Sequence, residues 1–326
     1  MHFRLTSRGR RLAAGLLPVV IVLTGCSSSS EPASATAPAE GRTVITSLGE
    51  VTVPTTIDSV VVLEGRRDLD IALALGLPLK GFPFEGPETG VELPLPIGDE
   101  LALAREAGAE QLFLADEIDV EAIAQAQPDL IIGRISDIEP IVDELTQIAP
   151  VLPVGTHDDG VSWQDDLRLV AQATDTEARA DEVIAAFDER VAQVRSAHSA
   201  AIAATPVAPI GYDMEGTEVE GTRLQSVLLQ ELQAVPSVAF GEAIKTGAVE
   251  FGPEQTLEAW RDAGALLVMA DTQEEWDAAQ KDPLFTQLPA VQAGAMVRSD
   301  KMTHEGGPIT ATHVLDLIDE MYGTIG

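Results

Sequence analysis

"DTEARADEVIAAFDERVAQVRSAHSAAIAA", residues 175–204, contains neither proline nor glycine, and Val183, Ile184, Phe187, Val191 and Val194 recur along it at three- and four-residue steps. The spacing predicts one continuous helix of about seven or eight turns, longer than most in globular domains. On both sides of it, short apolar runs alternate with helical periodicity, the pattern of an α/β fold. Upstream, "SVVVLEG" (59–65), "LKGFPF" (79–84), "PDLIIGR" (128–134) and "PVLPVG" (150–155) read as strands. "RDLDIALALG" (67–76), "DVEAIAQAQ" (119–127) and "IEPIVDELTQIA" (138–149) read as helices, the second opened by Asp119 as N-cap. Downstream, "VAPIGYD" (207–213) and "ALLVMAD" (265–271) are expected strands. "RLQSVLLQELQ" (223–233), "PEQTLEAWRDA" (253–263) and "PITATHVLDLIDEMY" (308–322) are expected helices. Two α/β lobes, residues 43–174 and 205–326, thus flank one long helix at 175–204.

The amino terminus reads differently. Arg4, Arg8, Arg10 and Arg11 precede an apolar run from Ala13 to Leu23 that is interrupted by Pro18. That run is too short for a bilayer, which needs roughly 20 apolar residues, and it fits the core of an export signal spanning residues 1–25. Arg10-Arg11 leaves the Sec and twin-arginine routes both open. Leu23-Thr24-Gly25-Cys26 resembles the lipobox of bacterial lipoproteins, and Cys26 is the only cysteine in the chain. The resemblance implies cleavage before Cys26 and acylation of its thiol, so that lipid chains such as palmitate hold the protein at the extracytoplasmic face of the cell membrane. Residues 26–42, rich in serine, alanine and proline, cannot bury apolar surface and form a flexible tether. With no second cysteine, no internal disulfide can support the fold.

Charge narrows the partners. The chain carries 20 basic and 53 acidic residues, a net of −33, and the signal holds four of those arginines and no acid. Its removal takes the net charge to −37, a field that repels nucleic acid. Against such a background, clustered arginines stand out.

At "DVEAIAQAQPDLIIG" the chain resembles the substrate-binding lipoproteins of ABC importers for iron-siderophores and cobalamin, periplasmic binding proteins with a helical backbone. Asp119 and Val120 stand where that family usually has Asn and Leu. The likeness continues through "ELTQIAPVLPVG", "SWQDDLRLVAQAT", the long helix, "PEQTLEAW" and "LFTQLPAVQAGAMVRSD", and so covers nearly everything from about residue 50. It implies two Rossmann-like lobes with a ligand cleft between them. It also implies a permease and its ATPase as partners, and a ferric siderophore as ligand rather than a resident cofactor. An exposed glutamate on each lobe is implied to dock on permease arginines, and the matching positions are Glu121 and Glu254. Both also lie in first turns of helices, where the macrodipole alone favours an acid.

In an open α/β sheet, ligands sit outside the carboxyl ends of strands. By that rule Arg66 and Arg67, Arg134, Tyr212 and Arg223 are candidate ligand contacts, and His304 in the glycine-rich "MTHEGGP" is another. A guanidinium stays charged and grips catecholate, hydroxamate or carboxylate oxygens bidentately. Each arginine could equally pair with one of the many carboxylates. Trp163, Trp260 and Trp276 are expected to be packing residues, and Phe82 and Phe84 to fill the core or line the cleft edge. Cobalamin or haem would suit the same architecture. An enzyme is the rival class, a membrane-anchored hydrolase using paired carboxylates. However, the chain has no Gly-x-Ser-x-Gly elbow, zinc-protease helix, phosphate loop or dinucleotide fingerprint, so no catalytic residues are assigned. A bare-metal binder would need several convergent histidines. His157, His198, His304 and His313 are too scattered, so no metal site is expected.

Overall fold

A computed structural model describes residues 41–84, 96–115, 117–156, 158–213 and 215–325. The export signal, Cys26, all but the last two residues of the tether, and His157 lie outside the described residues. Strand β1 (Gly41–Thr46) already occupies the tether's last two positions, and it pairs in antiparallel fashion with β2 (Gly49–Pro54).

The first lobe is a parallel five-stranded sheet in the order β5-β4-β3-β6-β7. Its members are β3 (Val60–Val62), β4 (Leu79–Phe84), β5 (Glu110–Leu114), β6 (Leu130–Arg134) and β7 (Val151–Val154). Every residue of β3 and β7 is buried, as expected where helices cover both faces of a parallel sheet. The chain leaves β3 on one side towards β4 and β5, and returns on the other side to β6. The β3/β6 boundary is therefore the point where strand order reverses, the usual place for a ligand crevice.

The second lobe has the order β10-β9-β8-β11-β12. Its strands are β8 (Val207–Asp213), β9 (Gly216–Glu220), β10 (Ala248–Phe251), β11 (Ala265–Met269) and β12 (Met296–Ser299). Here β8, β11 and β12 are parallel, and β9 runs against both β8 and β10. Trp260 fills this lobe and donates its indole N–H to Thr217 Oγ1 at 2.8 Å, while Phe82 is buried in the first.

The helix between the lobes is shorter than its periodicity predicts. It runs Glu177–Ala197, breaks at His198 (φ −116°, ψ 22°), and restarts as Ser199–Ala204. At the break, His198 Nε2 lies 2.6 Å from Asp319 Oδ1. Ala180, Ile184, Phe187, Val191 and Val194 form its buried stripe, and Phe187 meets Trp163 edge to face at 5.0 Å. Arg190 ties the same helix to the C-terminal helix Pro308–Gly323 through Asp316 and Asp319. The helix expected over 138–149 is also broken. Pro140 has no N–H and crowds the preceding turn, so the segment splits into Ile135–Ile138, a 3-10 turn Glu139–Ile141, and Val142–Leu145.

One carboxylate joins the lobes directly. Asp70, in the first-lobe helix Arg67–Ala74, accepts from Ile309 N (2.9 Å) and Thr310 N (2.8 Å), capping the C-terminal helix of the second lobe. Gly307 permits the approach, since a Cβ there would meet Asp70 Oδ1 at 2.9 Å. Burial lifts the Asp70 carboxyl to about 6. Asp70→Ala strands two donors at a buried helix end and is expected to cost about 2–4 kcal/mol in urea unfolding, with Asp70→Asn retaining most of the stability.

Candidate functional site

The chain turns sharply after β3, and Asp68 shapes the turn. Its carboxylate accepts from the backbone N–H groups of Leu63, Glu64, Gly65 and Leu69 at 2.7–2.9 Å. Gly65 supplies the left-handed backbone (φ +86°) that the turn requires. Beside it, Gly133 of β6 lets the two strands close up, because a Cβ there would meet Leu63 side-chain atoms at 2.9 Å. Glu64, Arg66 and Arg134 are thereby gathered at the carboxyl ends of β3 and β6.

Glu64 Oε1 lies 3.2 Å from Arg134 Nη1 and 4.0 Å from Arg66 Nε. Arg134 also reaches Asp137 at 3.2 Å. The arginines remain open, with 17% of the Arg66 side chain and 34% of the Arg134 side chain exposed, whereas only 6% of Glu64 is. Burial and the neighbouring Asp68 lift the Glu64 carboxyl from 4.5 to about 8, against the pull of Arg134 and Arg66.

The second lobe meets this cluster through the loop before its last helix. Arg66 Nη1 stands 2.8 Å from His304 Nε2 and 3.0 Å from Nδ1. An arginine can only donate, so the imidazole meets it through an unprotonated nitrogen. The His304 carbonyl accepts from Leu224 N at 2.8 Å, immediately after Arg223. Across the same junction, Thr222 Oγ1 donates to Asp158. Arg66, Arg134 and His304 are thus brought together at the seam between the lobes.

Arg67 is not with them. Its side chain is 1% exposed and held on both sides: Nη1 donates to Asp166 Oδ2 and Val161 O at 2.9 Å, Nε donates to Glu305 Oε1 at 2.8 Å, and Nη2 lies 2.6 Å from that same oxygen. At the first position of its helix the side chain turns into the protein, so this guanidinium binds the two lobes to each other and offers nothing to a ligand.

Tyr212 and Arg223 stand at the corresponding end of the second sheet. Arg223 is held by Glu218 and Glu220, both at 2.6 Å. Tyr212 is buried edge to face against Phe285 at 5.2 Å. Burial and then Asp282 raise its phenol above the usual range. An open cavity of about 640 Å³ lies over these strand ends, lined by Tyr212 and Phe251 and by the carboxylates Asp213, Glu215, Glu218 and Glu275. The two lobes therefore present opposite charge, arginines from the first and acids from the second.

Glu121 and Glu254 are both exposed, each in the first turn of a helical segment. Asp119 caps the turn that carries Glu121, its side chain accepting from Ala122 N. Glu254 borders a groove of about 820 Å³ whose floor includes Val238, Val249 and Phe251, with Glu242, Glu258 and Asp262 also lining it.

Sequence reasoning passed over Glu64, Asp68, Asp70 and Glu305. All four carry part of the site or its frame, and Glu64 satisfies the strand-end rule as well as Arg66 does.

The profile of the periplasmic binding protein family matches residues 114–302. A probable siderophore-binding lipoprotein of Bacillus subtilis, YfiY, is 34% identical over 191 residues, 55% of this chain and 53% of its own length. This chain thus matches about half of that relative. The ferric enterobactin-binding periplasmic protein FepB of Escherichia coli is 27% identical over 234 residues, 68% of this chain and 71% of that one. The siderophore periplasmic binding protein from the fuscachelin gene cluster of Thermobifida fusca superposes with a TM-score of 0.65 at 24% identity. That superposition covers 83% of this chain and 98% of the other, a likeness of fold.

Removing Arg67 takes from the buried carboxylates Asp166 and Glu305 the guanidinium they share. Arg67→Ala is expected to lower the unfolding free energy by about 3–5 kcal/mol, measured by urea denaturation.

Proposed function

The chain belongs to the periplasmic binding protein family, and on that premise we propose that it is the extracytoplasmic substrate-binding lipoprotein of an ABC importer. It captures a ferric siderophore between its lobes and delivers the complex to a membrane permease and its ATPase. The observation that carries this reading is the pair Arg66 and Arg134 at the β3/β6 reversal point, half-open and facing the seam where His304 enters. Chelated iron presents its charge on catecholate, hydroxamate or carboxylate oxygens, which a guanidinium grips bidentately. Two relatives at 34% and 27% identity, a probable siderophore-binding lipoprotein and a ferric enterobactin-binding protein, point to the same class.

In this reading Cys26 carries the lipid, and the serine-rich stretch after it lets the domain reach the permease. Glu121 and Glu254 are the docking posts. Two separated negative charges fix orientation and hasten encounter more than they add affinity. The acids around the Glu254 groove extend that negative surface.

Titrating residues 27–326 with ferric catecholate, hydroxamate and carboxylate chelates, cobalamin and bare metals, and following tryptophan fluorescence, tests the ligand class. A ferric chelate is expected to quench saturably, and Arg66→Ala and Arg134→Ala each to weaken it roughly tenfold to a hundredfold, the worth of a charge-assisted hydrogen bond. Quenching by cobalamin or a bare metal with none by any chelate would reject the reading. Glu121→Ala and Glu254→Ala are expected to depress iron uptake by whole cells while chelate affinity in solution stays the same.

A further inference from the structure

Glu64 has no place in a simple arginine trap. Its carboxyl stands between the two guanidiniums, and its Oε2 is buried with no hydrogen-bond partner among the described residues. Ionised, it would neutralise part of the charge meant for the ligand, repel ligand oxygens, and leave that second oxygen stranded at the cost of a buried unsatisfied group. Protonated, it no longer competes with the ligand for the charge of Arg134 and Arg66, and its hydroxyl can donate to a ligand oxygen.

The charged groups around it come from every neighbouring element. Asp68 faces it from the start of the Arg67–Ala74 helix. Arg66 lies in the turn after β3, Arg134 at the end of β6, and Glu305 in the loop before the C-terminal helix. Behind these stand Asp137 on Arg134, His304 on Arg66, and Asp166 on Arg67. Asp68 and Glu64 are two buried acids in one turn, and the backbone decides between them. Asp68 accepts four N–H groups, which suit only a carboxylate, whereas Glu64 has a single arginine within hydrogen-bond reach. Burial raises both carboxyls, and the four N–H groups pull only Asp68 back down, so the proton of the pair is assigned to Glu64.

Resting on the chelate-binding reading, we infer that the site is proton-coupled: Arg66 and Arg134 take up an anionic chelate together with a proton held on Glu64. The sign follows from linkage. An incoming anion disfavours the charged form of Glu64, so the carboxyl holds its proton more tightly in the complex than in the empty protein. Binding therefore takes up protons where the empty protein has begun to lose them. Affinity is full below the empty-state value of about 8 and falls as pH rises through it.

The probe is ferric enterobactin, a tris-catecholate complex, and the comparator is Glu64→Gln, which keeps the shape of the protonated acid. Kd is measured at pH 7 and pH 9, and calorimetry at pH 8 in buffers of different ionisation enthalpy counts the protons. The natural protein is expected to bind about tenfold more weakly at pH 9 than at pH 7 and to take up about half a proton per chelate at pH 8. In Glu64→Gln both effects should vanish. An infrared band from a protonated carboxyl, present at pH 7 in the empty natural protein and lost in the variant, would locate the proton on Glu64 without any ligand. Binding with the same pH slope in both proteins, or with no proton uptake, overturns the inference and leaves the chelate reading standing. No binding at any pH by ferric enterobactin or by any other ferric chelate of the panel overturns both.

Discussion

A single helical turn, residues 66–70, holds the two lobes in register, and the site depends on it. Arg67 is sealed between Asp166 of its own lobe and Glu305 of the other, and Asp70 caps the helix that begins at Pro308. Charges this deeply buried are expensive unless each is matched, so the arrangement tolerates little sliding. Asp68, between them, folds the strand end into the curve that presents Glu64 and Arg66. Frame and site are thus written in one stretch, "EGRRDLD", with alternate side chains turned to alternate tasks.

The electrostatics follow from the same economy. A chain of net charge −33 gathers two partly exposed guanidiniums at one strand reversal and sets a carboxyl between them that burial keeps near its neutral form. The second lobe answers with an acid-lined cavity, and its Arg223 is already held by Glu218 and Glu220. The positive character of the seam belongs to the first lobe, through Arg66 and Arg134.

Much of this was legible in the letters. The apolar runs of β3, β6, β8 and β11, the Asp119 cap and the C-terminal helix follow from periodicity and capping chemistry, and Arg66 and Arg134 do lie at strand ends as the letters suggest. The shortfalls have local causes. Pro140 splits one expected helix and a turn at His198 shortens another, while β9, β10 and β12 are too short or too polar to declare themselves. Arg67 was misplaced because adjacent residues at a helix start point in different directions, which no strand-end rule can see. Glu64 was missed because an acid in an acidic chain carries no signal until its burial is known.

The connecting helix has a further consequence. It leaves the first lobe beside Trp163, is pinned to the C-terminal helix by Arg190 and Asp319, and that helix is in turn capped by Asp70 back in the first lobe. Backbone and side chains therefore close a loop that passes through both halves. A linkage of this kind cannot gape like a clam. Swinging one half away from the other would first have to break the Asp70 cap or the Arg190 pairs.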